Sequence, residues 1–410
     1  MTKVVHIQYS PESAGRAALR LQHAFSKVNV ESCIVSLQPG VQDNNTRYLG
    51  KMARIISRID ERIQNFLTRK KIKRLGSFSY PVLGTNVARL KEIKNADFIY
   101  IHWALMGLLN FRSIKNIARL NKPVIIFQHD MWSITGGCHH SFTCEKYRTE
   151  GCNDCPMFPE HKRNDLSFKE FGKKMRLYSK YNNLFFVSPS RWLNDCTGGS
   201  LLTRNKPAFY IPNIFDSSLF NPMGKDTARQ ILNIDTNETV IAFGAVSVDS
   251  PYKGWAYLQK ALELLKEDGS INNISVLIFG SSYSKEIDEA IPFKAKFMGY
   301  LKDEYSISLV YNAADVFVVP SLADNLPTTV LESLSCGTPV VGFNIGGIPD
   351  MISHKENGYL AKYKDANDVC EGIKFCLQYR LKGYLLPNFA QELTIQKHLE
   401  LFEHIKSGKY

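Results

Sequence analysis

Two carboxylates, Asp324 and Glu332, stand eight positions apart in the run Pro320-Ser321-Leu322-Ala323-Asp324-Asn325-Leu326-Pro327-Thr328-Thr329-Val330-Leu331-Glu332-Ser333. The first falls in a loop and the second inside a helix. A helix N-terminus offers free amides and a positive dipole to an anion. Carboxylates accept hydrogen bonds from hydroxyls. A sugar bearing a phosphate would use both. A second candidate lies upstream, where Gly244-Ala245-Val246-Ser247-Val248-Asp249-Ser250-Pro251-Tyr252-Lys253-Gly254 follows an apolar run and precedes a helical one. Lys253 is the cation that a departing phosphate needs. In the first half, His129 ends the apolar run Val124-Ile125-Ile126-Phe127-Gln128. Ligands sit at the carboxyl ends of strands in open α/β sheets.

The elements that must hold these residues alternate strand and helix along the whole chain, the signature of parallel sheets covered by helices on both faces. In the first half, strands are expected at 4–9, 33–37, 98–102, 124–128 and 184–188, with helices at 14–28 and 106–120. A second series places strands at 240–243, 276–279, 296–298, 316–319, 339–342 and 358–360. Helices at 255–266, 305–312, 329–335 and 366–379 separate them. Two doubly wound units fit 410 residues better than one large sheet. The boundary is expected near Ile211-Pro212-Asn213-Ile214-Phe215-Asp216, where Pro and Asn punctuate the chain. This gives domains over 1–210 and 211–385. A last helix over 386–410 is expected to cross back to the first.

The spacing and setting of Asp324 and Glu332 resemble the acidic-x7-acidic motif of retaining glycosyltransferases of family four, with Asp324 in place of the usual Glu. The hinge run at 211–222 is similar to that family's I-P-N-G-V-D-x-x-x-F segment, with Ile214 replacing the glycine. The resemblance covers essentially the whole chain. It implies the GT-B fold: two Rossmann-like doubly wound α/β domains facing across a cleft that closes on the donor. It implies transfer of a sugar from a UDP- or GDP-linked nucleotide-sugar, with no cofactor required for catalysis. By the resemblance Asp324, with the backbone of Asn325, Leu326, Pro327, Thr328 and Thr329, lies near the donor sugar and diphosphate, and Glu332 accepts from the ribose. Tyr300 and Leu301 stand in the loop that reads the base, and Gly346-Gly347 in a turn of the same crevice. Lys253 neutralises the diphosphate, while Ala245 stands where the family has an Arg. Gly15 resembles a first-domain glycine that approaches the phosphates, and the neighbouring Arg16 could supply the missing cation. His129 matches a histidine near the donor sugar. The acceptor implied is a lipid-linked saccharide in bacterial surface-polysaccharide assembly, such as O-antigen of lipopolysaccharide, capsule or exopolysaccharide.

Charge and cysteines add partners. Residues 1–210 hold about 33 Lys+Arg against about 15 Asp+Glu, so the basic excess of the chain lies in its first half. Residues 47–75 read as a basic amphipathic helix with Leu49, Met52, Ile56, Ile59, Ile63 and Phe66 at helical spacing. Arg54, Arg58, Arg62, Arg69, Lys70, Lys71, Lys73 and Arg74 line the rest. Such a helix either buries its stripe in the domain core or lies on the anionic inner membrane surface. No apolar run approaches the roughly 18 residues of a membrane span, and the N-terminus reads as a first strand. A cytoplasmic protein, peripheral on the membrane, is the expectation. Within an insert over 136–160, Cys138, Cys144, Cys152 and Cys155 could bind one structural Zn²⁺ or remain free or redox-sensitive thiols.

Two other functions compete. One is a non-enzymatic binder of nucleic acid or another polyanion, suggested by the basic half; the acids and the lysine at helix starts argue against it, and no nucleic acid is expected. The other is an enzyme of the same architecture that runs as a sugar-nucleotide epimerase or a phosphorylase.

Overall fold

The computed structural model describes residues 1–11, 16–40, 45–68, 76–160, 162–244, 251–280 and 283–408. The chain forms two compact units, Met1–Ile214 with Gln391–Tyr410, and Phe215–Ala390. In the first, β1 (Thr2–Gln8), β2 (Val30–Ser36), β3 (Thr46–Tyr48), β4 (Phe98–Ile101), β5 (Val124–Phe127), β6 (Leu184–Ser188) and β7 (Ala208–Tyr210) make a sheet ordered β3-β2-β1-β4-β5-β6-β7. In the second, β8 (Thr239–Gly244), β9 (Ile274–Phe279), β10 (Lys294–Gly299), β11 (Val316–Val319), β12 (Val340–Phe343) and β13 (Gly358–Ala361) are ordered β10-β9-β8-β11-β12-β13. The pairings are parallel throughout.

A strand covered by helices on both sides has no polar face to keep. That is why Val124–Phe127 and Val316–Val319 read as unbroken apolar runs; Ile274–Phe279 carries one polar residue, Ser275, and all three are buried at every position. Strand order reverses between β1 and β4 in one unit and between β8 and β11 in the other. Each reversal opens a crevice beyond the carboxyl ends of two neighbouring strands.

The break between units falls at 214/215, a few residues beyond the expected boundary. Packing decides it: Ile211 and Ile214 lie in the first unit's core, whereas Phe215 lies in the second's. Phe389 also belongs to the second core, so the return begins at the helix Gln391–Ser407. That helix lays Phe402 on Phe98 with ring centroids 4.2 Å apart, and Ile395, Leu401 and Ile405 are buried beside Val4 and Phe25.

Three expected helices change at their starts. Arg16 sits in the left-handed region (φ 58°) just before the helix Ala17–Ser26, not within it. The helix expected at 106–120 is Phe111–Ala118. Met106 and Gly107 hold positive φ, and the Asn110 side chain caps the helix by accepting from the Ser113 amide. The basic helix expected at 47–75 is Lys51–Thr68. Arg47 and Tyr48 pair instead as edge strand β3, and Arg69, Lys70, Lys71, Lys73 and Arg74 lie outside the described residues.

Candidate active site

In the second unit the reversal of strand order brings together the loops that follow β8 and β11. Lys253 ends the short turn Pro251–Lys253 after β8, and Asp324 stands in the loop after β11. Their side chains meet, Lys253 Nζ to Asp324 Oδ2 at 2.9 Å, both largely shielded from water. Burial works against the ammonium charge, but the Asp324 charge and its hydrogen bond outweigh it, so the Lys253 pKa rises above the ordinary lysine range. Two glycines allow this approach. Gly254 has φ +73° and Gly346 has φ +59°; a Cβ would collide with the Pro320 carbonyl at the first and the Asp324 carbonyl at the second. The Leu322 amide donates to the Tyr252 carbonyl at 2.7 Å, tying the two loops together. Ala245 and its neighbours through Ser250 lie outside the described residues.

The Asp324 loop runs directly into the helix Thr328–Ser335. Pro327 precedes it in an extended conformation, no side chain caps it and its first turn carries no acid. Its leading amides and dipole therefore favour an anion beside Lys253. Asn325 and Leu326 are buried beneath the loop, whereas Thr328 and Thr329 are half-buried. Glu332, one turn in, is 8% exposed. Its Oε2 accepts from the Tyr311 hydroxyl at 3.1 Å. Burial first, and the Glu332 charge second, hold that phenol far above its usual pKa, so Tyr311 stays a donor and fixes one carboxylate oxygen. After β10, Tyr300 is 65% exposed, while Leu301 packs against the core. The structure thus groups Lys253, Asp324 and the Thr328 helix start at one sheet edge.

In the first unit His129 follows β5 and is partly exposed. Its Nε2 lies 3.0 Å from His102 Nδ1. Burial lowers the His129 pKa to about 4 against the opposing pull of the Asp130 charge. Sequence reasoning passed over Asp130, His139 and Ser79, which are joined here. Asp130 Oδ2 meets His139 Nδ1 at 2.5 Å, and His139 Nε2 lies 2.7 Å from Ser79 Oγ. The contacts tether the cysteine-bearing segment to the end of β5. The cue is the His139-His140 pair just past Gly136-Gly137-Cys138. Gly15 lies outside the described residues; Arg16 is half-buried just before its helix.

In the cysteine segment Cys138, Cys152 and Cys155 each lie close enough to another of the four thiols, Cys144 among them, to feel its charge. Among the described residues no three His, Cys, Asp or Glu side chains are grouped to hold a metal ion. Cys138 and Cys155 instead pack with Phe78, Met157 and Phe158. Burial pushes the Cys138 thiol up to about 11 and the Cys155 thiol up to about 12, and the Cys152 Sγ accepts from the Gly136 amide. Cys144 is half-buried, outside that apolar cluster.

Residues 237–379 match the family described as glycosyl transferases group 1. An uncharacterised glycosyltransferase of Methanocaldococcus jannaschii is 26% identical over 325 residues, 76% of this chain and 80% of that protein. The N,N'-diacetylbacillosaminyl-diphospho-undecaprenol alpha-1,3-N-acetylgalactosaminyltransferase of Campylobacter jejuni is 26% identical over 182 residues, 42% of this chain and 46% of that protein. Two other curated relatives are matched over 38% and 39% of their own length. Among solved structures, Anabaena HepE in complex with UDP-glucose superposes with a TM-score of 0.60 at 15% identity, covering 100% of both chains. Sucrose-phosphate synthase from Thermosynechococcus elongatus gives 0.63 at 14% identity, again over 100% of both. Residues 237–379 of the second unit thus match the group 1 glycosyltransferase family, within a chain that has the paired Rossmann-like sheets of the GT-B fold.

Proposed function

We propose that the protein moves a sugar from a nucleotide-sugar, UDP-linked before GDP-linked, to a saccharide on a lipid diphosphate, with retention at the anomeric carbon. The setting proposed is bacterial surface-polysaccharide assembly. The observation that carries the reading is the Lys253–Asp324 pair set against an uncapped helix N-terminus. Breaking the anomeric C–O bond leaves negative charge on the departing diphosphate. The Lys253 ammonium and the amides of Thr328 and Thr329 are already aimed to stabilise it. In this reading Asp324 accepts from sugar hydroxyls once the diphosphate takes over Lys253. Glu332, oriented by Tyr311, accepts from the ribose, and Tyr300 lies along the base. His129 contacts the donor sugar, and the leaving phosphate takes the acceptor proton. Gly15 and Arg16 keep their proposed place near the phosphates. The UDP-glucose bound by the Anabaena neighbour and the diphospho-undecaprenol in the Campylobacter relative's name support the donor and acceptor classes.

Thermal shifts with UDP-glucose, UDP-N-acetylglucosamine and GDP-mannose test it. A shift is expected for the native chain and its loss in Glu332→Ala; an undiminished shift in the mutant would move the donor elsewhere. Release of UDP only when an acceptor is present separates transfer from epimerisation.

A further part of the reading concerns the membrane. Among the described residues no helix is long and apolar enough to cross one. The helix Lys51–Thr68, however, exposes Met52 (70%), Ile59 (43%) and Phe66 (85%). Arg54, Arg58 and Arg62 are exposed beside them. An apolar stripe bordered by arginines suits the surface of an anionic bilayer, where a lipid-linked acceptor would be met. Co-sedimentation with phosphatidylglycerol vesicles but not phosphatidylcholine vesicles is expected, and its loss in Phe66→Ser.

A further inference from the structure

Beyond the donor site, the first sheet carries a row of polar side chains of which the transfer reading uses only His129. Ser32 lies on β2, His6 on β1, His102 just past β4 and His129 just past β5, in the order in which those strands lie side by side. His6 is in register with Ile34 and with Tyr100. Ser32 and His102 are each two residues from those partners, so all three project from one face. The contacts are continuous: Ser32 Oγ to His6 Nε2 at 2.9 Å, His6 Nδ1 to His102 Nε2 at 3.0 Å, His102 Nδ1 to His129 Nε2 at 3.0 Å. His6 is fully buried and His102 is 6% exposed.

A neutral imidazole has one N–H and one lone pair. A row of three must therefore point one way throughout. In one arrangement His129 Nε2 donates to His102, His102 to His6 and His6 to Ser32, which leaves a lone pair on His129 Nδ1. In the other, Ser32 donates to His6, His6 to His102 and His102 to His129, which leaves the proton on His129 Nδ1. Reversing one ring alone would set two N–H groups, or two lone pairs, face to face in a buried place, which is costly. Burial keeps the rings neutral, His6 lowered to about 3 and His102 well below its ordinary value. Among the described residues the titratable groups around the row are Tyr100, His398 and Asp130. Tyr100 and His398 bond to each other at 2.9 Å, and Asp130 is engaged by His139.

We propose that Ser32, His6 and His102 are positioning residues that set the tautomer of His129, so that whether its Nδ1 donates to or accepts from a sugar hydroxyl is decided collectively across four strands. The inference rests on the reading that His129 faces the donor sugar. The test is ring-nitrogen NMR of the full chain labelled with ¹⁵N-histidine, for the native protein, His102→Phe and His102→Gln. Without ligand, the native rings of His6, His102 and His129 are expected to hold one tautomer each and not to titrate between about pH 8 and about pH 5.5. His102→Phe is expected to shift the balance between the two tautomers at His129. His102→Gln, whose amide both donates and accepts, restores one; it also keeps the test open should the Phe variant not fold. Mixed tautomers at His129 in the native protein, or a single one unchanged in His102→Phe, overturns the proposal. UDP-glucose is then added. Ring shifts at His129 and His6 together in the native chain, with His6 silent in His102→Phe, support it, and a shift at His129 alone in the native chain overturns it. A native chain that binds UDP-glucose by thermal shift while none of the three rings moves overturns the placement of His129 at the sugar, a different failure from that of the row.

Discussion

A lysine shielded from water is a poor cation unless something holds its proton. Asp324 does that for Lys253, and the pair is poised to exchange partners when a diphosphate arrives. Lys253→Ala should lower kcat for transfer by on the order of 10²–10³-fold, the size of losing one preorganised stabiliser of leaving-group charge. Steady-state release of UDP measures it, and a loss below about threefold would take Lys253 out of the chemistry. Gly346→Ala tests the geometry instead of the charge. A Cβ there meets the Asp324 carbonyl in a left-handed backbone, so about 2–4 kcal/mol of stability should be lost. Urea unfolding reads that cost, and a donor-induced thermal shift that survives intact would mean the loop moves without consequence. At this scale the sequence carried the residue types and their loops, because strand, Gly turn and helix start punctuate the chain locally. It did not carry the pairing of Lys253 with Asp324, 71 positions apart. Nor did it mark His6 and His102, each of which reads as one more residue in an apolar strand until the sheet order sets them side by side.

The helix Lys51–Thr68 shows how periodicity can be right about an element and silent about its direction. The apolar spacing was legible, yet the face turned to the domain is Ala53, Ser57, Asp60 and Gln64, all buried. That polar face is satisfied by backbone that no pattern in the helix foretells. Asp60 Oδ1 accepts from the amides of Val82 and Leu83 at 3.0 and 2.7 Å, and Gln64 Nε2 donates to Asp60 Oδ2 at 2.5 Å. The Tyr80 amide donates to Gln64 Oε1, and the Ser57 hydroxyl to the Met106 carbonyl. The core alternative for the apolar stripe is therefore overturned at Met52, Ile59 and Phe66. Edge strands β3 and β7 escaped notice for a related reason: three residues, none of them fully buried, are too few to show alternation. Asp60→Ala would leave the part-buried amides of Val82 and Leu83 without an acceptor and should cost about 1–3 kcal/mol. Phe66→Ser should change stability by less than about 0.5 kcal/mol, since an exposed side chain leaves no cavity. Thermal unfolding of both variants checks the contrast; equal losses would mean that the helix packs the other way round.

Across the whole molecule the two units carry different acid sensitivities. Burial lowers His6 and His398 to about 3 and His129 to about 4, and lowers His102 as well. All four belong to the first unit. A histidine whose folded pKa lies below its unfolded value near 6.5 leaves the native state unprotonated while the unfolded chain binds a proton. Stability is then intact above about pH 6.5 and falls as the pH drops toward the folded value, by about 1.4 kcal/mol per pH unit for each ring. In the second unit the histidine lowered among the described residues is His354, which is exposed. Its lowered carboxylates, Glu238, Glu263, Asp268 and Asp303, act in a different window. A depressed carboxylate contributes stability above its unfolded pKa and loses it only below about pH 4.5. The first unit should therefore open at a higher pH than the second. Hydrogen exchange, pulsed after equilibration at steps from about pH 7 to about pH 3.5 and read by peptide mass, measures the order. Peptides covering Val4–Ile7 and Val124–Phe127 should lose protection between about pH 6 and about pH 4.5, while those covering Val316–Val319 and Val340–Phe343 keep theirs. Simultaneous loss would mean that the two units unfold as one; the reverse order would mean that the buried histidines keep ordinary pKa values, and the neutral row across the first sheet would fall with them.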